Sequence, residues 1–109
     1  MPQKPEKRVE PGNPQFDPVL LSQVRLGVIS VLVTRNKATF SDLKTLLDLT
    51  QGNLTIHLQK LEQAGYVAVK KDFVGRKPRT TLKITAKGRN AFLSHLEILQ
   101  GIADESAGR

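Results

Sequence analysis

Apolar residues return at spacings of three and four along Leu20, Leu21, Val24, Val28, Val31 and Leu32, the repeat that gathers side chains on one face of an α-helix. The pattern predicts a first helix of about four turns beginning near Asp17, with Pro18 at its first position, where a missing N–H is tolerated. After the polar turn Arg35-Asn36-Lys37, the triplet Ala38-Thr39-Phe40 is short and extended in character. Ser41-Asp42 then offers an N-cap for a brief second helix that carries Leu43, Leu46 and Leu47 and ends near Leu49. Thr50 is the next cap, and a third helix follows over residues 51–64, with Gly65 as its left-handed stop.

Beyond Gly65 the period changes. Tyr66-Val67-Ala68-Val69 reads as the start of a strand and Thr80-Thr81-Leu82-Lys83-Ile84 as its partner, with Gly75 and Pro78 punctuating the stretch between. This predicts a β-hairpin with a long basic tip. Thr85 caps a last helix, about residues 85–105, in which Phe92, Leu96, Leu99 and Ala103 recur at helical spacing and Leu93, Ile98 and Ile102 widen the stripe. The expected order is helix, strand, helix, helix, strand, strand, helix: a mainly α fold with a small β-hairpin (α+β). Its two short central helices, joined by a tight turn, make a helix-turn-helix candidate.

Composition sets the boundaries of this reading. The chain has 109 residues, room for one small domain and tails. Residues 1–16 hold Pro2, Pro5, Pro11 and Pro14 with little apolar content, which predicts a disordered N-terminal tail before a domain over 17–109. Cysteine is absent, which excludes disulfides, thiolate metal sites and thiol redox sensing. No apolar run approaches the roughly 20 residues that span a bilayer, so a cytoplasmic, nucleoid-associated protein is expected.

The net charge of +7 is concentrated. Residues 70–89 hold Lys70, Lys71, Arg76, Lys77, Arg79, Lys83, Lys87 and Arg89 against Asp72 alone, while the rest of the chain is neutral overall. One sign gathered in about a fifth of a chain is the footprint of a polyanion-binding surface; a solvated hairpin that keeps the protein soluble would carry the same run.

On a helical wheel of residues 51–64, Leu54, Leu58 and Leu61 fall within about 60° of one another and fix the buried face. The opposite set is Gly52, Asn53, Thr55, Ile56, Gln59, Lys60 and Gln63, with no carboxylate, and Glu62 lies on the flank. Amides make bidentate contacts with adenine edges, Lys60 reaches guanine or phosphate, and Ile56 packs on a thymine methyl. A plain solvent-facing helix also carries polar residues, although Glu/Lys pairs would be more usual there. Gly52 costs helix stability, about 1 kcal/mol relative to Ala, and permits close approach of another backbone. His57, at the edge of the leucine face, reads as a half-buried packing residue ahead of a phosphate contact. In Phe73-Val74-Gly75-Arg76-Lys77-Pro78-Arg79-Thr80, three cations in four residues suit phosphates or a narrow minor groove. Such contacts would position a protein more than read bases.

The run Thr50-Gln-Gly-Asn-Leu-Thr-Ile-His-Leu-Gln-Lys-Leu-Glu-Gln-Ala-Gly-Tyr-Val67, followed by Phe73-Val-Gly-Arg-Lys-Pro-Arg-Thr80 and Leu82-Lys-Ile-Thr-Ala-Lys-Gly-Arg89, resembles the stand-alone winged-helix regulators related to the MarR and ArsR groups. Asp17-Pro-Val-Leu and Arg25-Leu extend the similarity to residues 17 to about 99. The resemblance implies a winged helix-turn-helix whose third helix enters the major groove of double-stranded DNA and whose hairpin touches the minor groove or backbone. By position, Thr50, Gly52, Asn53, Thr55, Ile56, Gln59 and Lys60 would take the reading role and Arg76, Lys77 and Arg79 the wing role. The cysteines and histidine clusters of metal-sensing ArsR-type proteins are missing, so no metal or other cofactor is expected.

A lone reading helix offers few base contacts, and a homodimer doubles them over two half-sites. The stripe Phe92, Leu96, Leu99 and Ile102, with Leu21 and Val24 of the first helix, is the expected dimerisation surface, the last helix being longer than so small a core requires. A pocket for a small-molecule effector between dimer halves stays open, although nothing polar points into it convincingly. His57, His95 and the scattered acids form no metal or catalytic constellation, so an enzyme is not expected. Two alternatives to a sequence-specific transcriptional regulator share these features: a non-specific architectural DNA-binding protein, and a winged helix used for protein contacts.

Overall fold

The computed structural model describes residues 15–107. A 3-10 turn, Pro18–Leu21, precedes α1 (Gln23–Arg35), β1 (Lys37–Thr39), α2 (Phe40–Leu46), α3 (Gln51–Gln63), β2 (Val67–Val74), β3 (Lys77–Ile84) and α4 (Ala86–Ala107). All but Gln15 and Phe16 of the expected tail, 1–16, lie outside the described residues.

The expected first helix is two pieces. Ser22 has extended backbone angles and its hydroxyl accepts from the Arg25 amide at 3.2 Å, so it caps α1 and breaks the run from Asp17. The break resets the helical phase: Leu20, Val28, Ile29 and Leu32 are buried, Val24 and Val31 are half-buried, and Leu21 points outward. α2 starts earlier than expected, at Phe40, because Thr39, with its hydroxyl 3.0 Å from the Asp42 amide, is the cap in place of Ser41-Asp42 two residues on. Asp42 then sits in the first turn, where the helix dipole favours an acid. Thr50 caps α3 through the Asn53 amide at 3.1 Å, and Gly65 stops it with φ +81°, both as the sequence predicts.

The three strands form one antiparallel sheet in the order β1-β3-β2. Ala38 pairs with Leu82 and joins β1 to the inner edge of the hairpin, a long-range pairing that local pattern does not specify. The hairpin itself is tighter than expected. Pairing continues from Val67↔Ile84 out to Val74↔Lys77, which leaves Gly75-Arg76 as a two-residue turn in place of a long tip. Gly75, at φ +64°, supplies the first central residue that such a turn requires with positive φ. Pro78 is tolerated because β1 reaches only residues 81–83, so at that level β3 pairs on one side alone.

The core joins Leu20, Val28, Ile29 and Leu32 to Leu43, to Leu54, Leu58 and Leu61 of α3, and to Tyr66, Val67, Leu82 and Ile84. Two contacts fix where α4 leaves this body. The Thr85 hydroxyl donates to the Gly65 carbonyl at 2.7 Å and accepts from the Gly88 amide at 2.9 Å, tying the end of α3 to the start of α4. Gly88 packs directly on the backbone of Tyr66: a Cβ there would lie 2.2 Å from the Tyr66 carbonyl oxygen. The Tyr66 hydroxyl in turn donates to Asp17, and burial, then this bond, raises its pKa above the ordinary tyrosine range.

Candidate nucleic-acid interface

The leucine face of α3 is buried as expected, with Leu54 and Leu61 fully covered and Leu58 nearly so. That fixes the other face. Gly52, Asn53, Thr55, Ile56, Gln59, Lys60 and Gln63 are all exposed, and Ile56 keeps 56% of its surface open to solvent. Two hydroxyls are partly committed. Thr50 spends an acceptor site on its cap, and Thr55 Oγ1 donates to the Gln51 carbonyl at 2.8 Å, which leaves it an acceptor toward any outside group. An added Cβ at Gly52 would meet nothing within 4 Å, so the protein's own packing does not require glycine there.

Arg25 was not singled out by periodicity, because its role is long-range. Its Nε donates to the Val19 carbonyl at 2.7 Å, and its Nη1 lies 3.0 Å from His57 Nδ1. A guanidinium only donates, so Nδ1 is the acceptor and Nε2 carries the imidazole proton. Burial first, then the positive charges of Arg25 and Lys60, hold the His57 pKa below its usual value. His57 is thus a half-buried packing residue, and through it Arg25 braces α3 against α1. Beside this brace, Pro18, Val19, Arg25, Lys60, Gln63 and Ala64 line an open depression of about 370 Å³.

The wing cations do not act as one cluster. Arg76 is in the turn itself, Lys77 is on the last paired rung, and Arg79 is held by Asp72 across the hairpin with Nη2 to Oδ2 at 3.0 Å and Nε to Oδ1 at 3.2 Å. This two-pronged pair, on a residue that the sequence assigns to the wing role, orders Arg79 and offsets its charge. Side chains alternate faces along a strand. From the buried positions Val67, Leu82 and Ile84, the core-side face runs outward through Lys71 and Thr80 to Phe73 and Pro78, whereas Lys70, Asp72, Lys77, Arg79 and Lys83 lie on the other face.

On α4, Phe92 is half-buried against the core and His95 is buried on the same side. The His95 ring tilts against Phe16 at 5.8 Å, and its Nδ1 has no hydrogen-bond partner among the described residues. Helical spacing puts Leu99 and Ile102 on this inward side too, yet they are 44% and 39% exposed, and Leu96 is 44% exposed. These residues overhang the body, so the monomer leaves them uncovered. Leu21, 61% exposed, is open as well, whereas Val24 already packs against the core.

Comparison with known proteins agrees with this geometry. The family described as winged helix DNA-binding domain matches residues 24–103. An uncharacterized protein of Methanocaldococcus jannaschii is 44% identical over 80 residues, 72% of this chain and 87% of that protein. The structure of a transcriptional regulator homologue from Pyrococcus horikoshii OT3 superposes with a TM-score of 0.77 at 38% identity, over 82% of this chain and 88% of that one. The transcriptional regulator BldR from Sulfolobus solfataricus gives a TM-score of 0.65 at 25% identity, over 81% of this chain and 62% of that one. With α3 exposed beside a cationic hairpin and the match running from α1 into α4, the chain belongs to the winged helix DNA-binding domain family.

Proposed function

We propose that the protein is a transcriptional regulator that binds double-stranded DNA with sequence specificity, as a homodimer, with α3 in the major groove and the wing on the minor groove or backbone. The observation that carries this reading is the exposed face of α3, where Asn53, Gln59 and Lys60 stand with Thr55 and Ile56 and no carboxylate intervenes. Such a face matches the donors, acceptors and methyl groups of base edges. The Pyrococcus and Sulfolobus relatives, described as a regulator homologue and a regulator, support the regulatory role. Binding, and not catalysis, is the task of this surface.

Within the site, Thr50, Gly52, Asn53, Thr55, Ile56, Gln59 and Lys60 form the reading surface; Arg76 and Lys77 supply exposed wing charge at the turn, and Arg79 a pre-ordered one. The overhanging Leu96, Leu99 and Ile102, flanked by Phe92 and joined by Leu21 and Val24, form the dimer contact. The domain spans 17–109 and works in the cytoplasm, on the nucleoid; no described helix is long and apolar enough to cross a membrane. The test is selection of duplexes from a random pool, with the mass of the complex measured. A preferred sequence with two half-sites, bound roughly 10³-fold or more above random DNA by two chains, is the expected result. Binding within about tenfold on all duplexes would leave an architectural coat, and no binding at low salt would leave a protein-contact module.

A further inference from the structure

Phe73 has no part in the core. It is 69% exposed and Val74 is 52% exposed, whereas Phe40 and Phe92 pack against the body. Register places Phe73 directly opposite Pro78, so two apolar side chains stand together on the core-side face of the hairpin. The last three-stranded rung is Lys70↔Thr81, flanked by Thr39. Phe73 lies three residues farther out, about 10 Å at the rise of a strand. The pair is therefore carried clear of the domain on a two-stranded arm, with Lys71 on the same face and Arg76 and Lys77 at the tip.

We propose that Phe73, backed by Pro78, is an apolar wedge that enters the minor groove of the bound duplex and unstacks one base step on each outer flank of the site. This rests on the DNA-binding reading above and specifies how the wing takes part in it. One observation and two general properties of DNA recognition favour nucleic acid as the occupant. The surroundings of the pair are cationic, which suits two phosphate ridges and not an apolar protein face. The minor groove, about 6 Å wide, admits a flat ring presented edge-on but not a whole hairpin. Phe and Pro are among the side chains that open base steps in this way and bend the duplex toward the major groove. The Asp72–Arg79 pair on the opposite face stiffens the arm behind the wedge. The wing then contributes sequence preference through the ease with which a flanking step unstacks, pyrimidine–purine steps being the softest.

The test uses the full chain, a duplex selected from the random pool, and 2-aminopurine substituted in turn at each flanking position. With the wild-type protein, fluorescence should rise at one step per flank, and energy transfer between end-labelled ends should report a bend. Phe73→Ala should abolish the fluorescence rise, straighten the duplex and weaken binding roughly tenfold for each wedge lost, about a hundredfold for the two flanks together, the order found for loss of base–aromatic contacts. Phe73→Leu should retain part of each signal. The side chain is exposed, so neither variant disturbs the core, and circular dichroism checks this. Wild-type binding with no 2-aminopurine response, or Phe73→Ala binding within twofold of wild type, overturns the wedge and leaves the regulator reading standing. Loss of assembly size in Phe73→Ala without change on DNA assigns the tip to protein contact and likewise overturns it. Failure of the wild type to bind any duplex removes both.

Discussion

Replacing Gly88 with Ala tests the contact that orients α4. An added Cβ would lie 2.2 Å from the Tyr66 carbonyl oxygen and 2.9 Å from its carbon. Close carbon–oxygen contacts in proteins settle at about 3.3 Å or more, so α4 and the Tyr66 backbone must separate by roughly 1 Å. Overpacking of this kind costs about 1–3 kcal/mol. The same movement strains the Thr85 amide bond to the Tyr66 carbonyl, 3.1 Å long, worth about 1 kcal/mol. Against this, Ala is the better helix former by about 1 kcal/mol. The net expectation is a loss of about 1–3 kcal/mol, seen as a melting temperature lower by roughly 4–8 °C for each kcal/mol in a domain of this size. Gly101, in the same helix, has nothing within 4 Å of its would-be Cβ, so Gly101→Ala should instead gain up to about 1 kcal/mol. Both are measured by thermal unfolding at one fixed protein concentration, since the proposed dimer would melt in a concentration-dependent way. A Gly88→Ala protein that melts at or above wild type would refute the claim that close backbone approach demands glycine here.

Gln59→Ala should cost about 1–3 kcal/mol per half-site on the preferred duplex and little on random DNA, whereas Arg76→Ala should weaken both and reduce the salt slope by about 1 for each bound chain, read from titrations at several ionic strengths. Arg79→Ala should also weaken all DNA, and Asp72→Ala, which frees Arg79, should strengthen non-specific binding in the same titrations. Leu99→Asp places a charge on the overhang of α4 and should shift sedimentation from dimer to monomer while leaving helix content intact. Protonation gives a further check. His57 has its folded pKa held below the ordinary 6.5, chiefly by burial and then by Arg25 and Lys60. As pH falls through about 6.5 the unfolded chain takes up this proton before the folded one does, so stability present above that pH declines. The decline, followed by urea unfolding between pH 7.5 and 5, should be shallower in His57→Gln, and equal slopes in the two proteins would remove His57 as its source.

What could be read from the sequence is what depends on near neighbours along the chain. The leucines of α3, its Thr50 cap and Gly65 stop, and the carboxylate-free opposite face all follow from a period of 3.6 and from the chemistry of helix ends. The cationic hairpin and the surplus stripe of α4 were equally legible, because charge and periodicity are local counts. Only the folded chain decided the rest. Ser22 captured the Arg25 amide and split the first helix, a competition between two acceptable starts that packing of Leu20 and Ile29 resolved. β1 found β3 across more than forty residues, and cross-strand pairing carried the hairpin out to Gly75-Arg76, drawing Arg79 onto Asp72. The Arg25–His57 brace and the seat of Gly88 on Tyr66 join positions that no sequence period connects. Such contacts form once the core has fixed the distances between elements, which is why the exposed, carboxylate-free face of α3 was visible beforehand and the framework that holds it was not.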